Sequence, residues 1–120
     1  VSALVVVEDD EDVQNLIAAE FAQDSHFTLA GVSATAEDAF EMVLTNEEAV
    51  LIVIDHRLAG ELTGLQAAPA FKHLVPLSKV ILFTAHAELR EAAAAEPAVD
   101  AFVLKTEADE LLSVARQLLP

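Results

Sequence analysis

Residues 49–54 read AVLIVI, an unbroken apolar run that stops at Asp55. A strand apolar on both faces must be covered on both faces, which is the situation of a strand inside a parallel sheet. Four more short apolar runs accompany it: Ala3–Val7, Phe27–Val32, Lys79–Phe83 and Ala101–Leu104. Phe27–Val32 is the least apolar stretch of the set and suits a sheet edge.

Between the runs the period changes to that of a helix. Val13, Leu16, Ile17 and Phe21 form one stripe. Ala36, Ala39, Phe40, Val43 and Leu44 form a second, and Ala108, Leu111, Leu112, Ala115, Leu118 and Leu119 a third. Thr35 with Asp38, and Thr106 with Asp109, stand at capping-box spacing and predict two helix starts. A further helix is expected over Leu65–Leu74, with Pro69 near its first turn, where proline is tolerated. Glu88–Ala95 has high helix propensity but only Leu89 as a large apolar anchor. Strand–helix repeated five times predicts an α/β fold, a parallel sheet wound with helices on both faces by right-handed crossovers. No linker or repeat divides residues 1–120, so one domain is expected.

Charge and composition exclude whole classes of function. The chain has 6 basic and 21 acidic residues, a formal net charge of −15. Such a surface repels nucleic-acid phosphates and anionic lipid, so no direct nucleic-acid binding is expected. Cations and basic protein surfaces are the fitting partners. Cysteine is absent, which removes disulfides and thiol chemistry. The longest stretch without Asp, Glu, Lys or Arg is Ser25–Ala36, 12 residues, against the roughly 20 that span a bilayer. No membrane span and no signal peptide are expected. The chain opens on Val rather than Met, which suggests a trimmed sequence.

In a parallel sheet, ligands gather at the carboxyl ends of the strands. Glu8, Asp9, Asp10, Glu11 and Asp12 follow the first run, Asp55 the third, Thr84 the fourth and Lys105 the fifth. The topology brings these positions to one edge. Carboxylates so close repel each other, and an all-oxygen set calls for a hard cation, of which Mg²⁺ suits a site that also admits water and phosphate. Each residue also has an ordinary reading. The acidic run, and Asp10, Glu11 and Asp12 above all, can be a solvated helix start. Asp55 can cap a turn, Thr84 can be loop polarity, and Lys105 can be a surface lysine. Their joint placement at successive strand ends favours a site. His26, His56, His73 and His86 are too scattered for a metal motif, and His26 and His73 read as loop or surface residues. Gly31, Gly60 and Gly64 match no phosphate-loop or dinucleotide spacing.

The segments LVVVEDDEDV, VLIVIDHRLAG, VILFTAHA and DAFVLKTEADELL together resemble the receiver domains of bacterial two-component response regulators, with the fold of the chemotaxis response regulator. The resemblance covers essentially the whole chain and implies a flavodoxin-like sheet with strand order 2-1-3-4-5. It implies that Asp55 accepts a phosphoryl group from a histidine kinase or phosphotransfer protein. It places Glu8 and Asp9 as the acidic pair for Mg²⁺, joined by Asp55 and the backbone carbonyl of Arg57. Thr84 becomes the switch hydroxyl, Phe102 the switch aromatic and Lys105 the phosphate-contacting lysine. Arg57 and His86 flank the approach of the hydrolytic water and are expected to tune the phosphorylated lifetime. A downstream target or output domain would read the face built from the helix at 88–95, the fifth strand and the last helix. The protein is then expected to be cytoplasmic, and regulatory rather than an enzyme on external substrates, catalysing only its own phosphotransfer and autodephosphorylation.

Three positions and one spacing depart from the family pattern. Ala59 and Thr106 stand where prolines are common, and the isomer of the Lys105–Thr106 bond is left open. The spacing from Asp55 to Gly64 is one residue longer than usual. Ala98 stands where glycine is frequent. Two other functions stay open: a non-phosphorylated interaction module of the same fold, opposed by retention of Asp55, Thr84 and Lys105, and a metal-dependent phosphohydrolase, opposed by the lack of a separate general base.

Overall fold

The computed structural model describes residues 2–45 and 49–120. Five parallel strands form one sheet: β1 (Ser2–Val7), β2 (Phe27–Ser33), β3 (Val50–Ile54), β4 (Lys79–Thr84) and β5 (Ala101–Leu104), in the order β2-β1-β3-β4-β5. The helices are α1 (Glu11–Phe21), α2 (Ala36–Leu44), α3 (Gly64–Leu74), α4 (Arg90–Ala95) and α5 (Leu111–Leu118). This is the expected α/β flavodoxin-like arrangement. β2 is the edge strand that its lower hydropathy suggested, with a register shift against β1 between Leu4 and Val5.

All five residues of β3 are buried, because its alternate side chains feed two separate cores. Val50, Ile52 and Ile54 face the layer of α2 and α3. Leu51 and Val53 face the layer of α1 and α5. Strand alternation across a sheet covered on both sides gives this division. It also fixes where the chain must leave the sheet, since the residue after Ile54 is the first polar one.

Local signals set most helix starts. Thr35 caps α2, its hydroxyl accepting from the Asp38 N–H at 3.1 Å. The reciprocal half of that box does not form, because the Thr35 N–H donates to Ser33 Oγ instead. A full capping box stands at α3: Thr63 Oγ1 accepts from the Gln66 N–H, and Gln66 Oε1 accepts from the Thr63 N–H. Each such cap stabilises its helix by about 1 kcal/mol.

Several expectations need correction. Thr106 and Asp109 do not cap a helix. Residues Lys105–Glu110 form short 3₁₀ turns broken by a kink at Glu107, and α5 begins only at Leu111, with no side-chain cap. Pro69 lies in the second turn of α3, because Thr63 starts the helix earlier than expected. Residues Ala87–Leu89 form a 3₁₀ turn, so α4 is only six residues long. Leu16 and Leu44 lie on the expected apolar stripes yet are 40% and 58% exposed, because the stripes run past the layer that covers them. The Lys105–Thr106 bond is trans, and Ala98 adopts no positive φ, so it fits without strain where glycine is frequent.

Candidate functional site

The carboxyl ends of β1 and β3 converge through the sheet's own hydrogen bonds. One residue beyond β1, the Glu8 N–H donates to the Ser33 carbonyl at 2.8 Å. One residue beyond β3, the Asp55 N–H donates to the Val7 carbonyl at 3.0 Å. Backbone pairing therefore carries two carboxylates off adjacent strands, with Glu8 1% and Asp55 7% exposed. Asp9, next in the chain, is exposed. Oxygens of Glu8, Asp9 and Asp55 lie within 4.8 Å of one another, a group able to hold a metal ion.

Lys105 follows β5 and reaches back over the ends of β4 and β3. Its Nζ donates to Asp55 Oδ2 at 2.9 Å and stands 2.8 Å from Glu8 Oε1. Burial pulls the ammonium down, but its pairing with the Glu8 and Asp55 carboxylates outweighs that and raises its pKa above the ordinary lysine value. Burial likewise raises the Glu8 carboxyl, against its bonds to Lys105 and the Asp10 N–H, and the nearby Asp55 charge adds to the rise. One ammonium thus faces three carboxyl groups. The donor set is all oxygen and the charge balance still lacks cations, so the cluster fits a hard divalent ion.

Backbone and neighbouring side chains hold these groups in place. The Asp10 N–H donates to Glu8 Oε2 at 3.0 Å, and Gln14 Nε2 to the Glu8 carbonyl at 2.6 Å. Asp55 Oδ1 accepts from the His56 N–H at 2.7 Å. Gly64 packs against the backbone of Asp55, where a Cβ would collide with the Asp55 carbonyl oxygen. Of the acidic run, Asp10 takes the ordinary reading: it caps α1, accepting from Asp12 N–H at 2.8 Å and Val13 N–H at 3.3 Å. Glu11 and Asp12 fill the first turn of α1.

On the other side, Thr84 ends β4 fully buried, its hydroxyl accepting from the His86 N–H at 3.3 Å. His86 Nδ1 lies 3.2 Å from Glu88 Oε1. Arg57 is exposed on the loop after Asp55 and contributes to the field at Glu88. Phe102 pairs with Leu82 across β4 and β5, is half-buried, and carries the Arg90 guanidinium 4.8 Å above its ring. His56 was not singled out from the sequence. Its Nδ1 is buried without a hydrogen bond, and burial lowers its pKa despite the Asp55 charge. Of the residues the sequence marked, Glu8, Asp9, Asp55 and Lys105 meet directly, while Thr84, Phe102, Arg57 and His86 lie on the adjoining loops and strands.

The family model for the response regulator receiver domain matches residues 4–116. The chain belongs to this family. Receiver domains are regulatory, and the fold agrees with solved members. The response regulator TrrA of Thermotoga maritima, solved in complex with Mg²⁺-BeF, is 23% identical with a TM-score of 0.85, over 99% of this chain and 100% of that one. A LuxR-family DNA-binding response regulator of Staphylococcus aureus is 21% identical with a TM-score of 0.83, over 98% of each chain. The response regulator domain of Thermotoga maritima CheB is 19% identical with a TM-score of 0.81, over 98% of this chain and 96% of that one. No curated protein matches the chain. Among the described residues, no helix of this receiver domain is long and apolar enough to cross a membrane.

Proposed function

We propose that this receiver domain is a phosphorylation-controlled switch in which Asp55 accepts a phosphoryl group from a histidine kinase or phosphotransfer protein. The observation that carries the reading is the buried Asp55 carboxylate, bonded to Lys105 and within 4.8 Å of Glu8 and Asp9. Glu8, Asp9, Asp55 and the Arg57 carbonyl would hold Mg²⁺, which when bound neutralises charge on the transferring phosphoryl group. The Asp55 carboxylate oxygen attacks phosphorus, the P–N bond of the donor phosphohistidine breaks, and the imidazole nitrogen leaves with the electron pair. Lys105, already on Asp55 Oδ2, is placed to pair with a phosphoryl oxygen. The Thr84 hydroxyl then turns from accepting the His86 N–H to donating toward the phosphoryl group, and Phe102 moves into the space this opens. A target protein or output domain reads the change on the face of α4, β5 and α5. Arg57 and His86 restrict water at Asp55 and lengthen the phosphorylated lifetime, so replacing both with alanine shortens it.

Incubation with a small phosphodonor and Mg²⁺ tests the reading by intact mass. The chain is expected to gain one phosphoryl group, lose the gain in EDTA, and show none as Asp55→Asn. An unmodified mass at saturating donor and Mg²⁺ would overturn the switch and favour the interaction module, which keeps the fold for docking alone.

A further inference from the structure

The loop from Asp55 to Thr63 carries the Arg57 carbonyl. A loop of this length is loose unless something ties it down. Here the tie comes from another element. Ala59 forms an isolated parallel bridge with Thr35, at the start of α2. Two residues on, the Glu61 N–H donates to Glu37 Oε2 at 3.0 Å. Backbone hydrogen bonds, that from the Glu61 N–H foremost and that from its own N–H next, hold the Glu37 pKa below the ordinary value. Gly60 has φ +86°, and a Cβ there would come within 2.8 Å of Glu37 Oε2, so the backbone passes hard against the carboxylate.

Glu37 is thus more than an acid favouring a helix N-terminus. α2 is fixed by buried Ala36, Ala39 and Val43, so the carboxylate projects from a rigid element. The far end of the loop is fixed too, since the Gly64 N–H donates to the His56 carbonyl at 2.9 Å. Between these anchors, the Glu37–Glu61 bond and the Ala59–Thr35 bridge tie the chain beyond Arg57 to α2.

We propose that Glu37 is a positioning residue for the phosphotransfer site: by accepting from the Glu61 amide, next to the Ala59–Thr35 bridge, it holds the β3–α3 loop so that the Arg57 carbonyl is presented to Mg²⁺. The inference rests on the proposed function and adds to it a residue 18 positions before the acceptor. Supports of metal ligands commonly govern affinity as strongly as some ligands do, because an unheld ligand must be ordered when the ion binds.

The test is calorimetric titration of Mg²⁺ into the metal-free protein, with hydrogen exchange at the Glu61 amide as an independent readout. Glu37→Ala is expected to bind Mg²⁺ about tenfold more weakly and to lose protection at that amide. Glu37→Gln keeps a carbonyl acceptor and is expected to restore most of both. Thr45→Ala removes the hydroxyl bond to the Met42 carbonyl at the other end of α2, away from the loop. It is expected to lower the melting temperature and leave Mg²⁺ affinity unchanged, separating helix stability from loop placement. If the parent binds Mg²⁺ and Glu37→Ala binds it equally well, Glu37 does not position the loop. If Glu37→Ala weakens binding only as much as Thr45→Ala does, its role is structural and the inference falls. If the parent binds no Mg²⁺, the proposed function fails and this inference with it.

Discussion

The two sides of the site are built differently. At the ends of β1 and β3, the Glu8 and Asp55 carboxylates are each held by more than one contact. Glu8 is fixed through both its backbone and its side chain, Asp55 by Lys105 and the His56 amide, and the backbone of Asp55 by the close approach of Gly64. Across the sheet, α4 is six residues long and buries only Ala93. Phe102 is half-buried there beside an open groove shared with Arg90, Ala93 and Ala94. The same fold thus sets a dense corner suited to chemistry next to a thinly anchored face suited to movement. Packing explains the difference. β3 is covered on both faces, whereas α4 offers the sheet small side chains that gain little from burial.

Hydrogen exchange gives the largest expected contrast. Amides of β3 should exchange only on global unfolding, which costs about 5–15 kcal/mol in a domain of this kind. Those of α4 should exchange through local opening at a small fraction of that cost. Equal protection of 50–54 and 90–95, read by mass spectrometry of the native protein, would break the comparison. A phosphate mimic should alter exchange across 84–105 and leave 50–54 unchanged.

Steric tolerance should differ next. Gly64→Ala pushes a methyl group into the Asp55 carbonyl and should lower stability by about 1–3 kcal/mol, measured by urea unfolding. On the other side, Arg90→Ala removes only the cation above Phe102, a contact worth about 0.5–1 kcal/mol. Alanine's helix propensity offsets part of that loss. A larger loss for Arg90→Ala than for Gly64→Ala would invert the picture.

The smallest expected effect concerns a carboxylate far from the corner. Burial raises Glu8, whereas Asp24 is lowered by its bond from the His26 N–H and then by Arg116, whose Nη1 is 2.9 Å away. A carboxyl whose folded pKa is depressed contributes stability above its unfolded value of about 3.9 and loses it as pH falls through the folded value. Asp24→Asn should therefore cost a little stability at neutral pH and make the acid limb below pH 4 shallower. An unchanged acid limb in urea titrations between pH 2 and 5 would show that neither the His26 amide nor Arg116 lowers the Asp24 carboxyl.

Much of the site was legible because the chemistry sits at strand ends. Period and hydropathy locate a strand, and the first polar residue after it must lie at the sheet's edge, which is how Glu8, Asp55, Thr84 and Lys105 could be placed together. Asp10 already read more readily as part of a helix start than Asp9, which ends the strand. The chain's path makes Asp10 the cap and leaves Asp9 beside Asp55. Gln14 and Glu37 were missed because their partners are backbone atoms, a carbonyl six residues away for Gln14 and a peptide N–H 24 residues away for Glu37, and no motif records such a contact.

The sequence by itself determined the alternation of strand and helix, the burial of β3 and the set of residues at the carboxyl edge. These follow from side-chain period and from the cost of burying an unpaired polar group, and both are local properties of the chain. Tertiary structure decided the rest. The width of each helical layer left Leu16 and Leu44 in water. The 3₁₀ segment after Lys105 overrode the Thr106 capping signal. The reach of Lys105 to both Glu8 and Asp55, and of Glu37 to the β3–α3 loop, depends on which elements become neighbours. A side chain's partner is set by the packing of the whole sheet, and the spacing of residues along the chain does not carry that information.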